Sequence, residues 1–212
     1  VDREVAVAFA DTALALLERS GISAARVSAI GSHGQTVRHR PGGDAPFTLQ
    51  LGDPSTIAEH TGITTVADFR RRDIAAGGEG APLAPGFHRA RFAAAGRRRA
   101  IVNIGGIANA TLLDGEKLVA GFDTGPGNTL LDTWSQRHRR AAYDAGGAWS
   151  AEGAVIPGLL EDALSDSFFQ RTGPHSTGRE HFSEAWLDSL LSTAPQADPR
   201  DVQATLAALT AA

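Results

Sequence analysis

Asn103-Ile104-Gly105-Gly106-Ile107-Ala108-Asn109 and, one hairpin later, Gly121-Phe122-Asp123-Thr124-Gly125-Pro126-Gly127-Asn128 are the stretches that decide the reading of this chain. Each follows an apolar run of strand character, Ala100 to Ile104 and Leu118 to Phe122, and Asp114-Gly115 supplies the turn between the two strands. Glycine after a strand lets backbone N–H groups turn toward an anion with no Cβ in the way. Singly, each stretch reads as a tight turn that needs glycine. Together, on adjacent strands with Asp123 between them, they read as a phosphate cradle. Asp123 reads as an exposed carboxylate at the strand mouth, or else as a plain turn aspartate. A general base must come within ~2.6–3.2 Å of its proton, directly or through one water. A phosphate cradle beside such a carboxylate is what phosphoryl transfer to a hydroxyl or to water requires. Pro126 fixes the turn, and Asn128 opens a helix carrying Leu130, Leu131 and Trp134, whose N-terminus favours negative charge.

Toward the N-terminus, Val5, Phe9, Ala13, Leu16 and Leu17 recur at helical spacing, so Asp2 to Ser20 is expected to be a helix ended by Gly21. Val27 to Ile30 reads as a buried strand running into the polar turn Ser32-His33-Gly34-Gln35-Thr36. That density of donors and acceptors suits a polyhydroxylated ligand, and equally a polar surface turn. Phe47 to Leu51 is a strand, Asp53-Pro54 caps a helix that stops by Gly62, and Ile63 to Ala67 is a strand. Phe69 to Pro85 has no apolar periodicity and reads as a long loop. Within it, Arg70-Arg71-Arg72-Asp73 is either a solvated charge run or an anion-recognising segment. A helix over Phe87 to Ala95 leads to Gly96 and Arg97-Arg98-Arg99, read as a solvated domain junction. Further helices are expected at Pro157 to Leu164, Ser183 to Leu191 and from Asp198-Pro199 onward.

The 212 residues suffice for one large domain or two modest ones, and 42% hydrophobic with 21% charged residues is a globular composition. A formal charge of -4 argues against a dedicated nucleic-acid binder, and no apolar window is long enough for a membrane span. With no cysteine there are no disulfides and no thiolate metal sites, and the first segment is no signal peptide, so the expected location is cytoplasmic. There is no P-loop with Gly-Lys-Ser/Thr and no Gly-x-Ser-x-Gly elbow, and the seven histidines lack zinc-site spacing. The chain begins at Val1, contains no methionine and ends inside an expected helix, which gives the expectation of a piece of a longer protein.

Six collinear blocks resemble the anhydro-N-acetylmuramic acid kinases: Ser32 to Thr36, Asp68 to Asp73, Gly80-Ala81-Pro82-Leu83, Val102 to Asn109, Gly121 to Asn128 and Ser176-Thr177-Gly178-Arg179-Glu180-His181-Phe182. The resemblance implies an α/β, two-domain actin/hexokinase-like (ribonuclease H-like) fold, incomplete at both ends. Residues 1–97 would belong to the N-terminal, sugar-side domain and residues 98–212 to the C-terminal, nucleotide-side domain, with ATP and sugar bound between them. The family phosphorylates the 6-position of 1,6-anhydro-N-acetylmuramic acid while water opens the anhydro ring, a step of cell-wall recycling. Carried onto this chain, Asp123 matches the catalytic base that activates the water. His33, Gln35, Thr36, Arg71 and Arg72 match the sugar side. Asn103, Gly105, Gly106, Asn109, Gly125, Gly127 and Asn128 match the phosphate side of the ATP site, with Mg2+ accompanying the nucleotide and no metal ligands assigned on the protein. The resemblance also implies a homodimer, and a small amino sugar and ATP as partners rather than nucleic acid or membrane. Glu79 stands where the family has glutamine and His175 where it has lysine. The family's first phosphate loop and its adenosine-binding segment have no counterpart here, so the alternative is a sugar-binding remnant without catalysis.

Overall fold

Nineteen residues from Asp2 to Ser20 form the first helix, α1, and its small face at Ala6 and Ala10 is fully buried against α2 (Pro54–Thr61), where Ile57 is equally buried. Asp53 caps α2 by accepting from the Ser55 and Thr56 N–H groups, with proline at the first turn as expected. The computed structural model describes every residue except Thr172, Pro174 and Arg179. The chain is a mixed α/β structure that divides into two compact units, Val1–Leu83 and Ala84–Ala212.

In the first unit, β1 (Ile30–Gly31) pairs in parallel with β4 (Thr65–Val66). A separate antiparallel pair joins β2 (Gln35–Arg40) to β3 (Phe47–Leu51), with an irregularity between Thr36 and Arg38. Gln35 and Thr36, expected in a turn, thus open a strand. The stretch after Asp68, expected to be a loop, begins with a two-turn helix, α3 (Phe69–Ala75). Asp68 itself takes a left-handed conformation (φ 61°), which aspartate tolerates better than most residues.

The second unit begins with α4 (Ala84–Phe92), followed by an antiparallel sheet in the order β5 (Arg98–Ile104), β6 (Ile107–Asp114), β7 (Lys117–Pro126). The contact boundary therefore falls at Leu83/Ala84, whereas the sequence reading put it at residue 97. The reason is local. Pro85 packs over Gly121 so closely that a Cβ there would lie 2.3 Å from the proline Cγ, and His88 Nδ1 lies 2.9 Å from the buried Thr111 hydroxyl. These contacts attach α4 to the sheet.

Behind the sheet stand α5 (Asn128–Arg139), α6 (Pro157–Leu164), a 3-10 turn at Ser167–Gln170, α7 (Glu184–Leu191) and α8 (Pro199–Ala211). Their core is Leu130, Trp134, Trp149, Leu159, Phe168, Phe182, Leu187, Val202 and Leu206. Each such side chain gains about 1.5–3 kcal/mol on full burial, enough to hold several short helices with little intrinsic stability. Residues 202–206 are buried consecutively, so α8 is enclosed all round. Its end is tied to the glycine segment before α5, where the Thr210 hydroxyl lies 3.0 Å from the Pro126 carbonyl oxygen. Among the described residues no helix is long and apolar enough to cross a membrane.

Candidate active site

Strand register aligns three polar residues of the two glycine-rich stretches. Asn103 on β5 faces Asn109 on β6, and Asn109 faces Asp123 on β7. Direct cross-strand partners share a sheet face, with Cβ atoms about 4.5–5.5 Å apart. Asn103, Asn109 and Asp123 therefore form one polar row. A register shift between Ala108 and Asn109 leaves Thr124 as an extra residue on β7, and such bulges re-aim side chains at strand ends.

The two glycine stretches are bonded directly to each other. The Gly127 and Thr129 N–H groups donate to the Gly106 carbonyl at 2.9 and 3.1 Å, and the Asn128 N–H donates to the Gly105 carbonyl at 2.7 Å. Gly127 must be glycine for this approach, since a Cβ would lie 2.3 Å from the Gly105 oxygen. The amides at the start of α5, expected to face an anion, are thus spent on fixing the β5–β6 turn.

Asp123 is 6% exposed, which corrects the expectation of an open carboxylate. Its cover is the segment 175–177. The Asp123 N–H donates to the His175 carbonyl at 3.0 Å, and the Thr177 N–H donates to Asp123 Oδ2 at 2.9 Å. The His175 ring stacks on Phe122 at 5.5 Å between centroids and meets the Phe168 edge at 5.2 Å. The cover thus includes Ser176-Thr177, the start of another of the sequence blocks, and the Thr177 N–H gives the buried carboxylate a hydrogen-bond partner.

On the first unit, the sequence-selected residues separate into two places. Arg71 and Arg72 line a cleft of 480 Å³ with Pro46, Phe47, Thr48 and Asp68, so α3 and the start of β3 form its walls. Arg71 Nη1 lies 3.4 Å from Asp68 Oδ2 and is largely solvated, a weak surface pair. His33, Gln35 and Thr36 lie outside that lining. The Gln50 amide donates to Thr36 Oγ1 at 3.3 Å, and Gln35 donates to the Thr36 carbonyl at 3.3 Å.

His33 has both ring nitrogens engaged. Arg70 Nε donates to its Nε2 at 2.7 Å, so Nδ1 carries the proton and donates to the Gly34 carbonyl at 2.7 Å. Arg70 also reaches the Gly80 carbonyl at 3.0 Å, and the Gly80 N–H donates to Asp73 Oδ2 at 2.7 Å. Arg70, which the sequence reading did not single out from the triplet, is thus the arginine bonded to His33. Only the three-dimensional path of α3 tells which arginine of the triplet turns inward.

A family model for anhydro-N-acetylmuramic acid kinase matches residues 1–212. The chain belongs to the anhydro-N-acetylmuramic acid kinase family. An anhydro-N-acetylmuramic acid kinase of Xanthomonas campestris pv. campestris is 54% identical over 212 residues, covering 100% of this chain and 56% of the relative. That of Xylella fastidiosa is 54% identical over 211 residues, covering 100% of this chain and 55% of the relative. That of Shewanella oneidensis is 53% identical over 211 residues, covering 99% and 57%. The chain thus spans just over half the length of these relatives. Within this kinase family member, the row Asn103–Asn109–Asp123 and the covering segment 175–177 belong to the second unit, and the arginine cleft to the first.

Proposed function

We propose that this chain carries the water-activating part, with much of the sugar-binding and phosphate-binding parts, of an ATP-dependent kinase that converts 1,6-anhydro-N-acetylmuramic acid to N-acetylmuramic acid 6-phosphate. The observation that carries the reading is the row of Asn103, Asn109 and Asp123 beside two glycine segments bonded to each other. Asp123 takes a proton from water, and the water oxygen bonds to the anomeric carbon as the bond from that carbon to O6 breaks. O6 bonds to the γ-phosphorus as the β,γ-bridging bond breaks, leaving ADP. Positioning and charge stabilisation supply most of the acceleration in such transfers. On this reading the Asn103 and Asn109 amides and the Gly105-Gly106 turn contact phosphate, while Gly125, Gly127 and Asn128 hold that turn in place. Arg71 and Arg72 meet the lactyl carboxylate of the sugar, for which a guanidinium is suited.

Magnesium would neutralise phosphate charge. Among the described residues no group of three or more His, Cys, Asp or Glu side chains is gathered, so phosphate oxygens would hold the ion chiefly, with the Asn109 amide oxygen as the side-chain group of this row that fits it while Asp123 serves as the base. A cytoplasmic, homodimeric enzyme is part of the same proposal, and sedimentation of the protein at its relatives' full length checks the dimer.

The deciding variant is Asp123→Asn, assayed with the anhydro-sugar and ATP in a protein of the relatives' full length. Asparagine can still accept from Thr177, so folding and sugar affinity are expected to persist. Turnover is expected to fall by about 10²–10⁴-fold, the usual contribution of a positioned base. Turnover close to that of the unmodified enzyme would remove Asp123 from the chemistry.

A further inference from the structure

In the second unit the Asp166 carboxylate meets donors from three residues, Phe168, His181 and Trp186, and it has no part in the proposed reaction. Its side chain is 16% exposed and caps the 3-10 turn by accepting from the Phe168 N–H at 2.8 Å. It also accepts from Trp186 Nε1 at 2.8 Å on α7, and His181 Nε2 lies 3.1 and 3.2 Å from its two oxygens. Burial by itself would raise its pKa, but these donors hold the carboxyl below the ordinary aspartate value.

The three donors share one property. Each is joined to the ring cluster beside residues 175–178, Trp186 through its contact with the Phe182 ring at 5.2 Å between centroids. The Phe168 ring touches His175, His181 and Phe182, while His181 packs on Phe182 with centroids 4.6 Å apart. The Gly178 carbonyl accepts from the His181 and Phe182 N–H groups, and the Ser176 carbonyl accepts from Arg171. At the other face of this scaffold, the His175 carbonyl and the Thr177 N–H hold Asp123.

We propose that Asp166 is a positioning residue for Asp123: it gathers Phe168, His181 and Trp186 into a bracket that presses residues 175–177 onto β7 and so sets the orientation of the Asp123 carboxylate. This rests on the reading of Asp123 as the base, so the test has one arm that does not use activity. In the 212-residue chain, amide hydrogen exchange at Thr177 is compared between the unmodified protein and Asp166→Ala. Exchange is expected to quicken about tenfold or more, one charge-assisted hydrogen bond's worth, while the Leu130 and Leu206 amides keep their protection.

Trp186→Phe keeps an aromatic ring at this position and removes the indole donor, so it serves if Asp166→Ala fails to fold, with a smaller change in the same direction. The second arm measures turnover at the relatives' full length. There kcat is expected to fall with KM for the sugar unchanged, a split that general loosening of the fold would not give. Unchanged Thr177 exchange in both variants overturns the bracket. Quickened exchange with undiminished kcat overturns the reading of Asp123 on which the role depends.

Discussion

Gly125 and Gly127 are both fixed as glycine, for different physical reasons. Gly125 has φ +136°, a conformation side chains avoid, and a Cβ there would lie 2.8 Å from the Phe169 ring. Gly127 has an ordinary φ of -94°, but backbone oxygen fills the space its side chain would need. No rotamer change can relieve that clash, so Gly127→Ala must push the 104–107 turn away and break the bonds from Asn128 and Thr129. The expected cost is about 1–3 kcal/mol, the range for forced overpacking, read as a lower urea midpoint with an unchanged slope. A midpoint within error of the parent would show that the two segments do not depend on each other. The pattern of glycines and Asp123 was legible in the sequence because it is local. The burial of Asp123 was not, because its cover comes from 54 positions further along the chain, at Thr177.

At the scale of the element, legibility follows the length of the periodic pattern. The long helix α1 and the proline-capped helices α2, α6 and α8 lie where spacing and caps put them. The seven-residue α3 escaped, since three adjacent arginines followed by glycines give no apolar stripe to read. The start of α8 carries the clearest acid-sensitive contact. Arg200 donates to Asp198 from its side chain and also from its backbone N–H, which lowers the Asp198 carboxyl from 3.8 to about 2. A carboxyl whose folded pKa is depressed stabilises fully above its unfolded value and loses that contribution as pH falls through the folded one. The cap is therefore expected to be intact above about pH 4 and to weaken as the pH falls toward 2. The chemical shift of the Arg200 amide should titrate in that window. Asp198→Asn should abolish the titration while leaving a capping oxygen, and a midpoint near 3.8 in the parent would mean that the Arg200 contacts do not bias the carboxyl.

At the scale of the molecule, apolar burial is unequally divided between the two units. Among the described residues the buried apolar side chains of Val1–Leu83 are Ala6, Ala10, Ile57 and Ile63, only two of them large. Ala84–Ala212 holds all of the cluster built on Trp134, Phe168 and Phe182. With each large buried side chain contributing about 1.5–3 kcal/mol, the first unit should open at a lower free energy than the second. Amides of α1 and α2 are accordingly expected to exchange about a hundredfold faster than those of α5 and α8 under native conditions, as for a separate cooperative unit of low stability. The Asp2 side chain, which accepts from the Gly52 N–H at 2.6 Å, lies within that unit and should loosen with it. Equal protection across both sets of helices would mean that the chain unfolds as one body, and that contacts other than apolar burial carry the first unit.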